Sequence, residues 1–209
     1  PQILKTKGYT TACIGKWHLG WDWNFKNKPS YEIKTPKKSR LVYGPNDIDW
    51  ELPIKGGPLD RGFDYYFGDG TINFPPYVWI ENDKVLQKPT ALMDPKSIGL
   101  KTKEGNWEFR PGPKVKDWNP YKVLPTLTNK TISWIENQSV DKPFFLYLAL
   151  PSPHAPIIPN DAFIGKSNAG GYGDFMVQTD WVVGQVLETL KNQGLEYNTL
   201  VIFSSDNGP

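Results

Sequence analysis

Residues 144–150 (FFLYLAL) form an uninterrupted apolar run between two stretches of helical periodicity. A run of this kind is typical of a parallel β-strand that is covered on both faces. Apolar residues recur at helical spacing over 124–135 before the run and over 175–190 after it, where Gly194 would end the second helix. A second apolar run at 200–203 predicts the next buried strand. The order helix, strand, helix, strand predicts an α/β fold with a largely parallel sheet flanked by helices.

The first part of the chain is less regular. Residues 1–8 predict the last turn of a helix with Gly8 at its C-terminal cap, and residues 10–14 predict a short strand. From residue 20 to about 120 the sequence is rich in Trp, Pro and Lys and shows little periodicity. We expect this segment to be a loop-rich insertion within a single domain, with small elements that periodicity does not locate.

Composition excludes several classes of function. The 24 basic residues are nearly matched by 22 acidic ones, so the sequence gives no sign of nucleic-acid binding. The basic run at 34–40 favours a solvated loop, although a polyanion-binding patch stays open. Cys13 is the only cysteine, which excludes an internal disulfide, and no stretch reaches the roughly 18 apolar residues of a membrane span. The chain has no initiator Met, and we expect it to be an internal part of a longer domain.

Reactive side chains follow three of the predicted strands, at the point where each strand ends. In open α/β sheets, ligands bind in the crevice outside the carboxyl ends of the strands. Both histidines of the chain occupy such positions, together with a lysine and an acid–amide pair: Lys16, His18, His154, Asp206 and Asn207. Each residue alone is as well explained by an ordinary loop or turn. Their shared position predicts one site that binds a small anionic group.

The residue types fit the hydrolysis of an anionic ester. Asp206 and Asn207 carry the hard oxygen donors that Ca²⁺ or Mg²⁺ prefers. Such an ion would polarise one oxygen of a sulfuryl or phosphoryl group, and Lys16 would neutralise another. The imidazoles of His18 and His154 can transfer protons near neutral pH, one for the nucleophile and one for the leaving oxygen.

Several motifs resemble those of the sulfatase family, in the same order along the chain. Residues 8–18 (GYTTACIGKWH) resemble the second signature of that family, which is long and specific. Residues 60–68 (DRGFDYYFG) are similar to the element that follows it. Further similarities lie at 143–156, 172–174 and 205–208. The resemblance covers nearly the whole chain and is closest to the arylsulfatase A and N-acetylgalactosamine-6-sulfatase branch.

The resemblance implies an alkaline-phosphatase-like fold, a bound Ca²⁺ ion and a formylglycine nucleophile. Sulfated carbohydrates or aryl sulfates would be the substrates, and the compartment would be periplasmic, secreted or lysosomal. Lys16 would bind the sulfate, His18 would assist the formylglycine, and His154 would contact the sulfate and the leaving oxygen. Asp206 and Asn207 would be two of the metal ligands. A sulfate-contacting residue is also expected soon after Gly68, where no residue matches clearly.

The sequence departs from the family pattern at the nucleophile. The motif Cys/Ser-x-Pro/Ala-x-Arg is absent, and Cys13 does not replace it because Gly15 and Trp17 stand where Pro or Ala and Arg belong. The paired aspartates of the metal site are missing too. We therefore expect the nucleophile and the remaining metal ligands to lie outside a truncated catalytic domain at 1–209. The chain alone would then be inactive and bind Ca²⁺ weakly.

Other interpretations of the sequence remain open. Trp21 and Trp23 lie just past the predicted site and are candidates for contact with a sugar, although core packing explains them equally well. A phosphodiesterase or phosphonate hydrolase of the same superfamily would share the metal ligands. A carbohydrate-binding module would account for the Trp-rich loops but not for histidines at strand ends. A serine hydrolase that uses Ser152 or Ser205 with His154 lacks the usual Gly-x-Ser-x-Gly turn.

Overall fold

The computed structural model describes residues 1–34, 39–139, 141–205 and 207. The α-helices are α1 (Gln2–Lys5), α2 (Val123–Glu136) and α3 (Gly170–Asn192). The strands are β1 (Thr10–Lys16), β2 (Tyr31–Lys34), β3 (Ser39–Val42), β4 (Tyr65–Gly70), β5 (Ile80–Glu81), β6 (Lys84–Val85), β7 (Ala91–Met93), β8 (Gly112–Lys114) and β9 (Phe144–Ala149). Residues 35–38 of the basic run lie outside the described residues.

A five-stranded sheet in the order β6-β5-β4-β1-β9 forms the centre of the molecule. β1 runs parallel to β4 on one side and to β9 on the other, whereas β5 and β6 are antiparallel additions at one edge. The parallel strands are joined by long connections, and the connection from β4 to β9 contains α2. The predicted α/β fold with a largely parallel sheet is confirmed.

The long helices form where helical periodicity predicted them. α2 packs against β1, β4 and α3, and α1 packs against β1. The buried side chains of α2 recur three or four residues apart, as one core-facing stripe requires: Val123, Leu124, Leu127, Thr128, Thr131 and Ile135. Gly194, with φ of 67°, follows the end of α3 as predicted. Among the described residues, no helix combines the length and apolar character that crossing a bilayer requires.

Two expectations about the second half of the chain are wrong. Residues 200–203 do not form a strand, and their side chains are largely exposed, with Leu200 at 85% and Phe203 at 74%. An apolar run becomes a strand only where a sheet edge accepts its backbone hydrogen bonds, and no described strand pairs with this run. β9 is also not fully covered on both faces, because its side chains are only half-buried and that of Tyr147 is 49% exposed.

The segment 20–120 contains more structure than its sequence suggested. It supplies β4, which lies in the middle of the sheet, and the antiparallel strands β5 and β6. It also forms two small two-stranded sheets, β2–β3 and β7–β8. The division into one truncated domain with an insertion stays a prediction.

The pairing of β1 with β4 contains a bulge close to the carboxyl ends of both strands. Ile14 lies opposite Phe67, but Lys16 lies opposite Gly70, so two steps along β1 match three along β4. An extra residue of this kind bends the strand and redirects the side chains near it. Here the redirected residues are 68–69, directly beside the end of β1.

The strands approach one another closely at this edge. Gly15 has φ of 114°, a conformation that favours glycine, and a Cβ there would collide with the carbonyl oxygen of Ala149 in β9. A Cβ on Gly68 would collide with the carbonyl oxygen of Gly15. The buried Tyr66 hydroxyl donates a hydrogen bond of 3.0 Å to that same carbonyl oxygen. The carboxyl ends of β1, β4 and β9 are therefore packed backbone to backbone.

Candidate active site

The end of β1 carries Lys16 and His18 on either side of a buried tryptophan. The Trp17 main-chain N–H donates a 2.7 Å hydrogen bond to the carbonyl oxygen of Gly70, so pairing with β4 extends one residue past the strand. The Trp17 indole N–H donates to the carbonyl oxygen of Gly20 at 3.2 Å. Trp17 is buried, Lys16 is half-buried and His18 is exposed. The buried ring thus anchors the segment that presents the two polar side chains.

The loop after β9 carries His154 and is anchored by α3. The buried Thr179 hydroxyl of α3 is hydrogen-bonded to the hydroxyl of Ser152 at 2.8 Å. Farther along the loop, the main-chain N–H of Asn160 donates to the side-chain oxygen of Gln178 at 2.8 Å, also on α3. The loop is therefore fixed on both sides of the exposed histidine.

The imidazole of His154 has one nitrogen engaged and one available. Its Nδ1 lies 2.6 Å from the carbonyl oxygen of Ala155. A carbonyl accepts but does not donate, so Nδ1 carries the proton in this contact. In the neutral ring, Nε2 then has a free lone pair and accepts a proton or hydrogen bond.

His18 lies within electrostatic range of the other predicted cations. Partial burial of its imidazole lowers the pKa of His18. The positive charges of Lys16, His154 and Arg110 lower this pKa further, in that order. Lys16 and His18 lie at the carboxyl end of β1 and His154 follows its parallel neighbour β9, so the structure places residues from distant parts of the sequence at one edge of the sheet. At neutral pH the His18 ring is neutral and can accept a proton.

Arg110 and Phe74 belong to the same cluster, although neither could be recognised from the sequence. The Phe74 ring lies 5.3 Å from the His18 ring, and the Arg110 guanidinium lies over the Phe74 ring at 3.7 Å. Both residues sit in the aperiodic part of the 20–120 segment. No motif or spacing marked them.

Asp69 lies in the bulge of β4 and is fully buried beside Lys16. Neither of its carboxylate oxygens accepts a hydrogen bond from another described residue. Burial raises the pKa of Asp69 to about 7, while its own main-chain N–H and the charge of Lys16 offset part of the rise. Asp69 directly follows Gly68, in the stretch where the family resemblance implies a sulfate contact but no residue matches clearly. Its burial follows from the position of β4 in the middle of the sheet, where residues 66–70 are all buried.

Trp21 and Trp23 are half-buried and pack against the core. The Trp21 ring lies 5.4 Å from the Tyr66 ring and 6.1 Å from the Trp23 ring. With Asp69 and Phe74 they line a cavity of about 50 Å³, which is large enough for a water molecule but too small for a sugar ring. Packing is the role that these contacts support, and substrate contact by either ring stays a prediction. A larger cavity, of about 260 Å³, includes none of the predicted site residues.

The cysteine and the two serines weighed as nucleophiles are poorly placed for catalysis. Cys13 is completely buried in β1, and burial raises the pKa of its thiol to about 12, so it is not a thiolate at neutral pH. The Ser152 hydroxyl is buried and bonded to Thr179, and the Ser205 hydroxyl donates to the carbonyl oxygen of Asn207. Neither serine is hydrogen-bonded to His154 in the described residues. These contacts count against the serine hydrolase alternative.

The predicted metal ligands are only partly described. Asp206 lies outside the described residues, and Asn207 is exposed. Among residues 1–34, 39–139, 141–205 and 207, no three His, Cys, Asp or Glu side chains are grouped closely enough to hold a metal ion. The described residues therefore do not make a metal site by themselves.

Comparison with known proteins identifies the family. The model of the sulfatase family matches residues 1–209. An N-acetylgalactosamine-6-O-sulfatase of Bacteroides thetaiotaomicron is 31% identical over 99% of this chain and 42% of its own length. An N-acetylgalactosamine-6-sulfatase of Mus musculus is 31% identical over 100% of this chain and 32% of its own length. The chain thus spans about a third to two-fifths of these relatives.

A solved structure supports the fold. A protein from a study of glycosaminoglycan metabolism by Bacteroides thetaiotaomicron superimposes with a TM-score of 0.75 at 27% identity, over 100% of this chain and 45% of that one. This likeness confirms the alkaline-phosphatase-like fold, of which the present sheet and helices are a part. Sulfatases in general use a formylglycine nucleophile and a divalent metal ion. With its family model matched from end to end, this chain belongs to the sulfatase family.

Proposed function

We propose that the protein hydrolyses sulfate esters, on sulfated carbohydrates or on aryl sulfates. The observation that carries this proposal is that Lys16 and His18 lie at the carboxyl end of β1 and His154 follows its parallel neighbour β9, in a chain of the sulfatase family. A sulfate ester is negatively charged throughout its hydrolysis, so a lysine ammonium and two imidazoles can stabilise that charge and transfer the protons of the reaction. The names of the relatives, which include N-acetylgalactosamine-6-sulfatases, favour a sulfated amino sugar.

Each of the three residues has a role that its surroundings support. The Lys16 ammonium, at the end of a strand whose backbone is fixed on both sides, would bind a sulfate oxygen. The neutral imidazole of His18 would accept a proton from the attacking group. Because Nδ1 of His154 is engaged with the Ala155 carbonyl, Nε2 would act on the leaving oxygen, as acceptor in one protonation state and as donor in the other.

The nucleophile and the metal ion are implied by the family. A formylglycine would supply the oxygen that attacks sulfur, and it would lie in a motif that these 209 residues do not contain. We propose Ca²⁺ as the ion, with Asp206 and Asn207 as two of its ligands. By family analogy, the compartment would be periplasmic, secreted or lysosomal.

The test compares esters that differ only at the anionic centre. Because the chain spans only part of its relatives, the assays use the complete reading frame that encodes it. We expect turnover of an aryl sulfate to exceed that of the matching aryl phosphate and phosphodiester. Lys16→Ala should lower kcat/KM for the sulfate by about 10²-fold or more, since it removes a charge aimed at the reacting group.

Lys191→Ala is the matched control, because this exposed lysine lies in the last turn of α3, and it should leave kcat/KM unchanged. A preference for the phosphodiester would support the phosphodiesterase alternative. Binding of a sulfated sugar without turnover of any ester would support a carbohydrate-binding module.

A further inference from the structure

The main chain at Arg110 is held in place by a buried tyrosine. The Arg110 N–H donates to the hydroxyl of Tyr77 at 2.9 Å and to the carbonyl oxygen of Asn73 at 3.1 Å. The Tyr77 hydroxyl donates in turn to the carbonyl oxygen of Arg110 at 2.6 Å. Tyr77 is 1% exposed, so this anchor lies in the core. A short loop is thereby fixed at the residue whose long side chain reaches the site.

The side chain of Arg110 is exposed, but a contact with Phe74 restrains its conformation. Its guanidinium carbon lies over the Phe74 ring, 3.7 Å from the ring centre, a cation–π contact that restrains the side chain. Within the part of the chain that the structure describes, Arg110 forms no ion pair. A guanidinium in such a contact keeps its in-plane N–H donors available, which suits bidentate binding of a carboxylate or a sulfate.

The position of Arg110 relative to Lys16 suggests which anion it binds. Lys16 lies on the strand edge itself, whereas Arg110 reaches the cluster across the Phe74 ring, which lies 5.3 Å from the His18 ring. The Phe74 ring contacts both the His18 ring and the Arg110 guanidinium, which places the guanidinium at the periphery of the cluster.

We infer that Arg110 binds a second anionic group of the substrate, a carboxylate or a further sulfate on the sugar part that adjoins the scissile sulfate. This inference rests on the proposed function. Arg110 would then be a residue of specificity: it would favour polyanionic saccharides over esters with a single charge. The fixed main chain and the restrained side chain mean that little entropy is lost on binding.

The experiment compares substrates with one and with two anionic groups. The substrates are an aryl sulfate, a sulfated disaccharide with a neighbouring uronic acid, its carboxyl-reduced analogue, and a disulfated disaccharide. The variants are Arg110→Gln and Arg110→Lys in the complete protein. Arg61→Gln, which removes an exposed arginine that forms no part of the cluster, is the control.

We expect Arg110→Gln to raise KM for the doubly charged substrates about tenfold to a hundredfold, the range for a lost bidentate charge-assisted pair. Arg110→Lys should recover part of the loss. The aryl sulfate and the carboxyl-reduced disaccharide should change less than about twofold, since they lack the second anion. A loss only with the uronic acid, or only with the disulfated sugar, would identify which anion Arg110 binds.

Equal loss of kcat/KM on all four substrates would overturn the inference, because Arg110 would then act on the scissile group or on the fold. No loss on any substrate would overturn it as well. If the wild-type protein turns over no sulfate ester, the proposed function fails and the inference falls with it. Wild-type turnover with an unchanged Arg110→Gln variant removes the inference alone.

Discussion

The β1–β4 side of the sheet and the β9–α3 side differ in how completely they are covered. β1 is buried over residues 11–15, and β4 is buried from Tyr66 to Gly70. β9, in contrast, is half-exposed, and α3 leaves several large apolar side chains in contact with solvent: Tyr172, Met176, Val177, Trp181 and Leu187. The candidate site joins the two sides, since Lys16 and His18 come from the first and His154 from the second. Lys16 and His18 therefore lie at the end of a buried strand, whereas His154 follows a strand whose side chains are only half-buried.

The largest expected effect is on the covered side. Gly15→Ala should lower the free energy of unfolding by about 4 kcal/mol or more, because the new Cβ meets the Ala149 carbonyl and the residue must keep a positive φ. The matched control is Gly184→Ala on α3, where a Cβ meets nothing within 4 Å. That variant should gain about 0.5–1 kcal/mol from helix propensity. Urea unfolding measures both, and similar effects at the two positions would remove the contrast between the two sides.

A second test on the covered side uses the buried carboxyl of Asp69. Its pKa is raised to about 7 in the folded protein, so between pH 4 and pH 7 the native state binds a proton that the unfolded chain has released. This group therefore reduces stability as pH rises through that window. Asn does not ionise, so the stability of Asp69→Asn relative to wild type should increase by up to about 4 kcal/mol from pH 4 to pH 8. Urea unfolding at several pH values measures the difference, and a difference that does not change with pH would contradict it.

On the open side, the expected effect is smaller and concerns the loop that carries His154. Thr179→Val removes the hydroxyl that holds Ser152 and should cost about 1 kcal/mol of stability, with a several-fold drop in kcat. Thr189→Val is the control. The hydroxyls of Thr179 and Thr189 both lie within hydrogen-bond distance of the carbonyl oxygen four residues back, but in the described residues only Thr179 is bonded to the loop that carries His154. Kinetics and thermal melts of the complete protein separate the two. An equal drop in kcat for both variants would mean that α3, rather than the loop anchor, is responsible.

The smallest expected effect is at the junction of the two sides. The positive charge of Lys16 lowers the pKa of His18, so Lys16→Met should raise that pKa. The two histidines can be followed by NMR titration and distinguished with a His154→Asn variant. Lys191→Met, which removes a distant charge, should leave the His18 pKa in place. An unchanged His18 pKa in Lys16→Met would show that the two groups do not interact.

The regular elements and half of the site could be predicted from sequence for a common reason. Helical spacing and apolar runs located β1, α2, α3 and β9, and the rule that ligands bind at strand ends predicted the meeting of Lys16, His18 and His154. These signals are local, or follow from parallel strand order. The run at 200–203 shows the limit of such predictions. An apolar sequence indicates a preference for β-structure, but it does not identify the strand with which the run would pair.

The remaining site residues depend on long-range geometry. Asp69 is buried because β4 lies in the middle of the sheet, and Arg110 joins the cluster through the Phe74 ring, with its main chain held by Tyr77. Neither of these spatial relations produces a periodic pattern or a motif in the amino-acid sequence. Both come from the segment 20–120, where the sequence showed no regular spacing.

The hydrogen bond from the Trp17 N–H to the Gly70 carbonyl has a consequence for how new specificities arise. Since Lys16 and His18 flank a residue that is paired with the neighbouring strand, neither can be relocated without displacing the sheet. Phe74 and Arg110 stand on connecting segments that tolerate replacement far better. Substitution at these loop positions would therefore alter the proposed saccharide preference, while the residues proposed for the reaction itself stay in place.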